Sequence, residues 1–166
     1  MKRRHVLMGG VAALSLGACS KSKFRTYRGP EVTHIVVNKE ERRMFLFHHD
    51  RQLRNYEIDL GFAPVGDKFY EGDGRTPEGT YIIDRRNPDS QYHLSLGISY
   101  PDARDVAEAE ELGKPPGGDI FIHGNSEKYR KKGEQDWTWG CIAVEDREME
   151  HIYAMVRTGT VIQINP

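Results

Sequence analysis

The sequence predicts one mainly β domain with a few helices, a curled sheet or sandwich, on three observations. Short β-branched and aromatic runs recur between turn residues. Only two stretches carry a helical period. The 166 residues can bury one sizeable core and hardly two. Strands are expected at residues 32–38, 43–48, 52–60, 80–85 and 92–96, mostly antiparallel, with His49-Asp50-Arg51 closing a hairpin between the second and third. Between Gly61 and Gly79 stand Pro64, Gly66, Gly72, Asp73, Gly74 and Pro77. That is too much punctuation for a regular element, and a long loop in a small domain often carries function. One helix is expected over 103–112, opened by Pro101-Asp102 and stopped by Gly113. A second starts near Asp146, puts Met149, Ile152, Tyr153 and Val156 on one face and ends at Gly159. Residues 160–164 then close the chain as a strand.

The first residues are read as a leader outside this domain. Lys2, Arg3 and Arg4 precede an uncharged run over 6–16 that is too short to span a bilayer and suits the h-region of a secretory signal. It ends in Leu16-Gly17-Ala18-Cys19, which resembles the lipobox of bacterial lipoproteins, where the cysteine is acylated and becomes the mature N-terminus. Residues 1–19 are therefore expected to be a signal cleaved before Cys19. Residues 20–31, polar, basic and without apolar period, form a tether, and 32–166 form the folded domain. The expected protein is exported and membrane-bound through its lipid, and Ser20 resembles the outer-membrane sorting signal of Gram-negative lipoproteins.

Loss of Lys2, Arg3 and Arg4 leaves 21 basic against 25 acidic residues, a net charge near −4, which gives no footing for nucleic acid. With Cys19 at the acylated terminus, Cys141 is the single thiol of the domain and has no internal disulfide partner. A lone thiol in an oxidising compartment is a liability unless buried or used, so Cys141 becomes the first candidate for chemistry.

Two segments support that choice. Residues 120–122 are an apolar run that delivers His123 at its end, where Gly124 turns the chain, and Cys141 opens another apolar run after Gly140. Neighbouring strands would then present imidazole and thiol side by side. An ordinary thiol is only a few per cent thiolate at neutral pH; a nearby imidazole both takes its proton and later donates it to a leaving amine. The Gly140 and Cys141 amides are placed to face a developing oxyanion, each donor contributing about 3 kcal/mol. The imidazole also needs a partner to hold its tautomer, either a main-chain carbonyl near Gly124 or Asn125, or the Asp136 carboxylate.

His123-Gly124, a fourteen-residue stretch from Gly124 to Trp137, then Thr138-Trp139-Gly140-Cys141-Ile142 resemble the signature of L,D-transpeptidases of the YkuD or ErfK/YbiS type. Arg75-Thr76-Pro77-Glu78-Gly79-Thr80-Tyr81 is similar to the family's Thr-Pro-x-Gly turn into a strand. Residues 92–96, 99–101 and 116–120 match stretches common in one branch, which also carries Thr-x-Gly-Cys-Ile-Ala-Val. The resemblance covers about 32–166. It implies a YkuD-like β-sandwich or curled-sheet catalytic domain without cofactor or metal. It also implies Cys141 as nucleophile, His123 as acid/base, Gly140 and Gly124 as oxyanion and orienting positions, and peptidoglycan stem peptides as substrate. Thr138, Trp139, Tyr92 and His93 are the expected substrate-side residues. Trp139 stands where most relatives have a second histidine, and Ala143 where many have Arg or Asn, so substrate choice and the balance of transfer against hydrolysis stay open.

Blander readings stand beside these. Most free cysteines are small buried hydrophobes, and Trp137 and Trp139 could be plain core instead of cleft walls. The charged run over 127–132 is a solvated loop or a flap. A zinc site would need paired ligand spacing that the scattered histidines lack. A hydrolase or a non-catalytic peptidoglycan-binding lipoprotein on the same fold remains an alternative.

Overall fold

The computed structural model describes residues 22–124 and 134–166. Eight strands form one sheet: β1 (His34–Asn38), β2 (Arg43–His48), β3 (Arg51–Glu57), β4 (Gly79–Asn87), β5 (Ser95–Ile98), β6 (Phe121–His123), β7 (Ile142–Ala143) and β8 (Val161–Asn165), in the order β3-β2-β1-β8-β4-β5-β6-β7. The pairings are antiparallel except β1 with β8 and β6 with β7. The sheet curls far enough that the chain leaving β3 reaches the opposite edge. There Asp59 bridges Ala143 and Gly61 bridges Thr138. This is why the strand expected over 52–60 ends early: its last residues serve the other edge.

Alternation builds the inner face. Ile35 and Val37 of β1, Met44 and Leu46 of β2, and Ile162 and Ile164 of β8 are buried while their neighbours are not, the period-2 pattern of a sheet with one wet face. β5 is buried at all four positions because it is covered on both faces. It begins at Ser95, not Tyr92: Leu94 N donates to Tyr92 O at 2.9 Å and His93 adopts φ 70°, so residues 92–94 make a turn.

Helix α1 (Ala103–Glu111) opens as expected, with the Asp102 carboxylate accepting from the Arg104 and Asp105 amides at 2.8 and 3.0 Å. Gly113, at φ 65°, follows its end. Helix α2 (Asp146–Met155) packs Met149 and Ile152 against β5 and β6. The segment expected to be a tether lies against the domain over its described part: Lys23 Nζ donates to Pro88 O and His93 O at 2.6 and 3.0 Å, Arg25 pairs with Glu150 at 2.6 Å, and the Phe24 ring meets Tyr153. Residues 1–21, with the expected signal and Cys19, and 125–133, with Asn125 and the expected flap, lie outside the described residues. Among the described residues no helix is long and apolar enough to cross a membrane.

Candidate active site

β6 and β7 bring the two predicted groups to one end of the sheet. His123 ends β6 opposite Ala143 of β7. Cys141, two places before Ala143, stands immediately ahead of β7, so the pairing brings its place in the chain beside β6.

The imidazole is fixed from three sides. Nδ1 lies 2.9 Å from the Gly124 carbonyl oxygen, which can only accept, so Nδ1 carries the proton and Nε2 keeps its lone pair. The Tyr92 ring lies 4.5 Å away and the Trp137 ring meets it edge-on at 5.8 Å. His123 is only 4% exposed. Burial holds its pKa below the ordinary 6.5, against the opposing pull of the Gly124 carbonyl, so the ring is a neutral base at pH 7. The second sequence candidate for orienting it, Asp136, is engaged elsewhere: it takes Arg42 Nε and Nη2 at 2.8 to 3.0 Å and the Leu60 amide at 3.0 Å.

Cys141 is half-buried and its Sγ donates to the Asp119 carbonyl oxygen at 3.6 Å. Burial pushes the thiol up to about 11, the Phe121 amide opposes, the Asp119 carboxylate adds to the rise, and the Lys68 ammonium lowers it. The resting group is thus a thiol rather than a thiolate. Gly140 before it has φ 123°, and a Cβ there would meet the Arg75 carbonyl oxygen at 2.6 Å, so the turn that presents Cys141 requires glycine.

Thr138 ties this turn together. Its hydroxyl donates to the Cys141 carbonyl at 2.8 Å and accepts from the Gly140 amide at 3.1 Å. Thr138, expected on the substrate side, spends its hydroxyl on the backbone beside Cys141, and the Gly140 amide, expected at the oxyanion position, donates to that hydroxyl. His93 Nε2 lies 3.2 Å from Glu150 of α2. Trp139 is 73% exposed, edge-on to the exposed Phe62 at 5.0 Å, an aromatic platform beside Cys141. Trp137 donates through Nε1 to Asp59 at 3.2 Å.

Sequence reasoning missed the polar frame of the long loop. Lys39, 2% exposed, donates to Gly66 O, Thr76 O and Glu78 Oε1 at 2.6, 2.9 and 2.8 Å. Lys68, 3% exposed, donates to Tyr70 O at 3.0 Å and Asp73 Oδ1 at 2.8 Å. Asp73 also accepts from the Phe69, Tyr70 and Arg75 amides. Burial alone would raise its pKa, but Lys68 and the amides outweigh burial and hold the carboxyl below the usual range. This frame presses Arg75 onto Gly140. Among the described residues no three His, Cys, Asp or Glu side chains are grouped to hold a metal ion.

Comparison with known proteins gives the family of the fold. The chain is 29% identical over 135 residues to the Escherichia coli protein named "Putative L,D-transpeptidase YafK", covering 78% of this chain and 48% of that one. Pgp2, the helical cell shape determining protein of Campylobacter jejuni, superposes with a TM-score of 0.60 at 27% identity over 83% of this chain and 49% of its own. An L,D-transpeptidase of Mycobacterium smegmatis shares the fold, with a TM-score of 0.56 at 16% identity over 83% and 60%. The chain spans about half the length of the curated relatives it matches. The model of the L,D-transpeptidase catalytic domain family, YkuD, matches residues 32–164, and the chain belongs to that family.

Proposed function

We propose that this protein is an exported cysteine acyltransferase acting on peptidoglycan stem peptides, with Cys141 as nucleophile and His123 as acid/base. The observation that supports the reading is the buried neutral imidazole whose Nδ1 proton is pinned by Gly124, leaving Nε2 as the acceptor on the strand paired with the one that Cys141 leads into. Sγ leaves the Asp119 carbonyl, gives its proton to Nε2 and attacks the carbonyl carbon after the third stem residue. The Cys141 amide faces the developing oxyanion. The C–N bond then breaks, the amine of D-alanine leaves with the proton from His123, and a thioester remains. An acceptor amine attacks that thioester and gives its proton to Nε2; the C–S bond breaks, and Sγ departs with that proton, restoring the thiol and the neutral imidazole. The exposed Trp139–Phe62 pair supplies a stacking surface for the stem peptide.

Family membership supports the substrate class, and the naming of the Campylobacter relative as cell-shape determining fits a role in wall remodelling. Export by a cleaved signal and lipidation at Cys19 belong to the same proposal. Purified protein incubated with a tetrapeptide muropeptide is expected to yield a crosslinked dimer by mass spectrometry, and a Cys141→Ala variant none. Tripeptide without dimer would make the protein a hydrolase on the same fold. If neither product forms and a carbapenem fails to acylate Cys141, the enzymatic reading falls and a binding role replaces it.

A further inference from the structure

The residue that fixes the tautomer of His123 is itself gripped from two sides. Gly124 donates its amide to the Tyr92 and Leu94 carbonyls at 3.1 and 3.3 Å, on the turn over 92–94, while its own carbonyl takes the Nδ1 proton at 2.9 Å. A Cβ at Gly124 would meet Asp146 Oδ1 of α2 at 2.8 Å, Met149 Cβ of α2 at 3.2 Å and the Tyr92 carbonyl oxygen at 3.3 Å. Turn and helix are thus two jaws closed on Gly124. The Tyr92 ring, carried by the first jaw, also covers the imidazole at 4.5 Å.

Residues 23–25, on the segment expected to be a passive tether, tie these jaws together from outside. Lys23 Nζ donates to His93 O at 3.0 Å and to Pro88 O at 2.6 Å, so it holds the turn. Two residues on, Arg25 pairs with Glu150 Oε2 of α2 at 2.6 Å, and the other oxygen of that carboxylate, Oε1, lies 3.2 Å from His93 Nε2. Glu150 is buried, so its charge is matched by Arg25 and His93 in place of bulk water. Between Lys23 and Arg25, the Phe24 ring meets Tyr153 of α2 at 6.5 Å. Such ties count here because the strands on either side of the turn and of Gly124, β5 and β6, have only four and three residues of ladder.

We propose that residues 23–25 are a strap belonging to the site: Lys23 and Arg25 are positioning residues that hold the 92–94 turn and α2 closed on Gly124, and so keep the His123 proton on Nδ1 and Nε2 free to accept. They act through Gly124 and Tyr92, without contact to the reacting atoms. A loosened clamp would let the Gly124 carbonyl drift from Nδ1, and a neutral imidazole without that acceptor divides its proton between both nitrogens. That the strap serves acyl transfer rests on the function proposed above; its hold on the imidazole does not.

The test uses the full chain with Lys23→Met and Arg25→Met combined, beside a conservative pair, Lys23→Arg with Arg25→Lys. Long-range proton–nitrogen NMR correlations, with the His123 signals assigned by their loss in His123→Gln, read which ring nitrogen holds the proton. The parent and the conservative pair are expected to show the Nδ1-protonated ring, and the methionine pair a mixture with the Nε2-protonated form. In the muropeptide assay kcat is expected to fall about tenfold in the methionine pair with KM nearly unchanged, the signature of a misplaced catalytic group. The conservative pair should recover it, and Arg25→Met alone should show a smaller change of the same sign. A parental tautomer in the methionine pair overturns the strap's hold on His123. A shifted tautomer with parental kcat overturns its bearing on the reaction. If the parent itself gives no muropeptide product, the acyl-transfer reading fails, and the NMR comparison still decides whether the strap holds the imidazole.

Discussion

The half of the sheet made by β3, β2, β1 and β8 and the half made by β5, β6 and β7 are held by different forces. In the first, β1 pairs over its whole length with β2 on one side and β8 on the other, and alternate residues fill the core. Ladder bonds and hydrophobic burial suffice there, and both are spread over many residues. In the second, strands shrink to four, three and two residues. Position is set instead by a few side-chain bonds, some local, Thr138 to the Cys141 carbonyl and Lys68 to Asp73, and some across long sequence distances, Trp137 to Asp59 and Lys39 into the long loop. The lesson is that the regular half supplies cohesion while the short half supplies geometry. One substitution can therefore displace the site without erasing the fold.

The sharpest way to break that contrast is to unpair Lys68. Lys68→Met leaves the Asp73 carboxylate buried without its ammonium, and removing one partner of a buried pair costs about 3–5 kcal/mol. Denaturant unfolding is expected to show that loss. Turnover per folded molecule should fall with it, because the loop that Asp73 gathers presses Arg75 onto Gly140. Ile35→Ala in the regular half is the control: a large-to-small core change costs about 2–5 kcal/mol, but folded molecules should turn over at the parental rate. Equal activity losses in both variants would mean that the two halves do not divide the work.

The regular half was the legible one. Strand alternation, the Asp102 cap and the apolar face of α2 are local signals, and each was found within a few residues of its place. The His123–Gly124 and Gly140–Cys141 steps stand out in the sequence because their chemistry narrows the residue types. Illegible were the contacts that hold them. Lys39 and Lys68 carry the residue type least expected inside, and Lys39 finds Glu78 39 positions away. Asp59 could not be tied to Trp137, 78 positions on, without knowing that the sheet curls. Thr138 stands beside Cys141 in the motif, which points to a substrate-side role; only the fold shows its hydroxyl spent on the turn.

Thr138 gives the next smaller effect. Thr138→Val keeps the shape but leaves the Gly140 amide and the Cys141 carbonyl without their shared hydroxyl, a loss of about 1–3 kcal/mol. Thr138→Ser should restore most of it. The melting temperature is expected to drop modestly in the valine variant and kcat to drop more than the melting shift explains, since the backbone that carries Sγ loses its brace. A valine variant with parental kcat would show that the turn is held by Gly140 alone.

The smallest effect lies in the resting thiol and separates the site's two groups from each other. With the Cys141 thiol pushed up to about 11 and His123 held below 6.5, neither group is charged at neutral pH. A thiol whose pKa is raised stays protonated until pH approaches that value, so alkylation of the substrate-free protein by iodoacetamide should climb about tenfold per pH unit above neutrality, with no plateau at low pH. His123→Ala should leave that profile nearly unchanged while abolishing turnover, because the imidazole takes the proton only when a carbonyl is being attacked. The sign for stability follows from the same thiol. Between its ordinary value of 9 and about 11, the folded chain keeps a proton that the unfolded chain has lost, so stability should decline as pH rises through that window. A fast alkylation plateau near neutral pH that vanishes in His123→Ala would instead mean a standing thiolate–imidazolium pair, and the short half of the sheet would then hold its charge before substrate arrives.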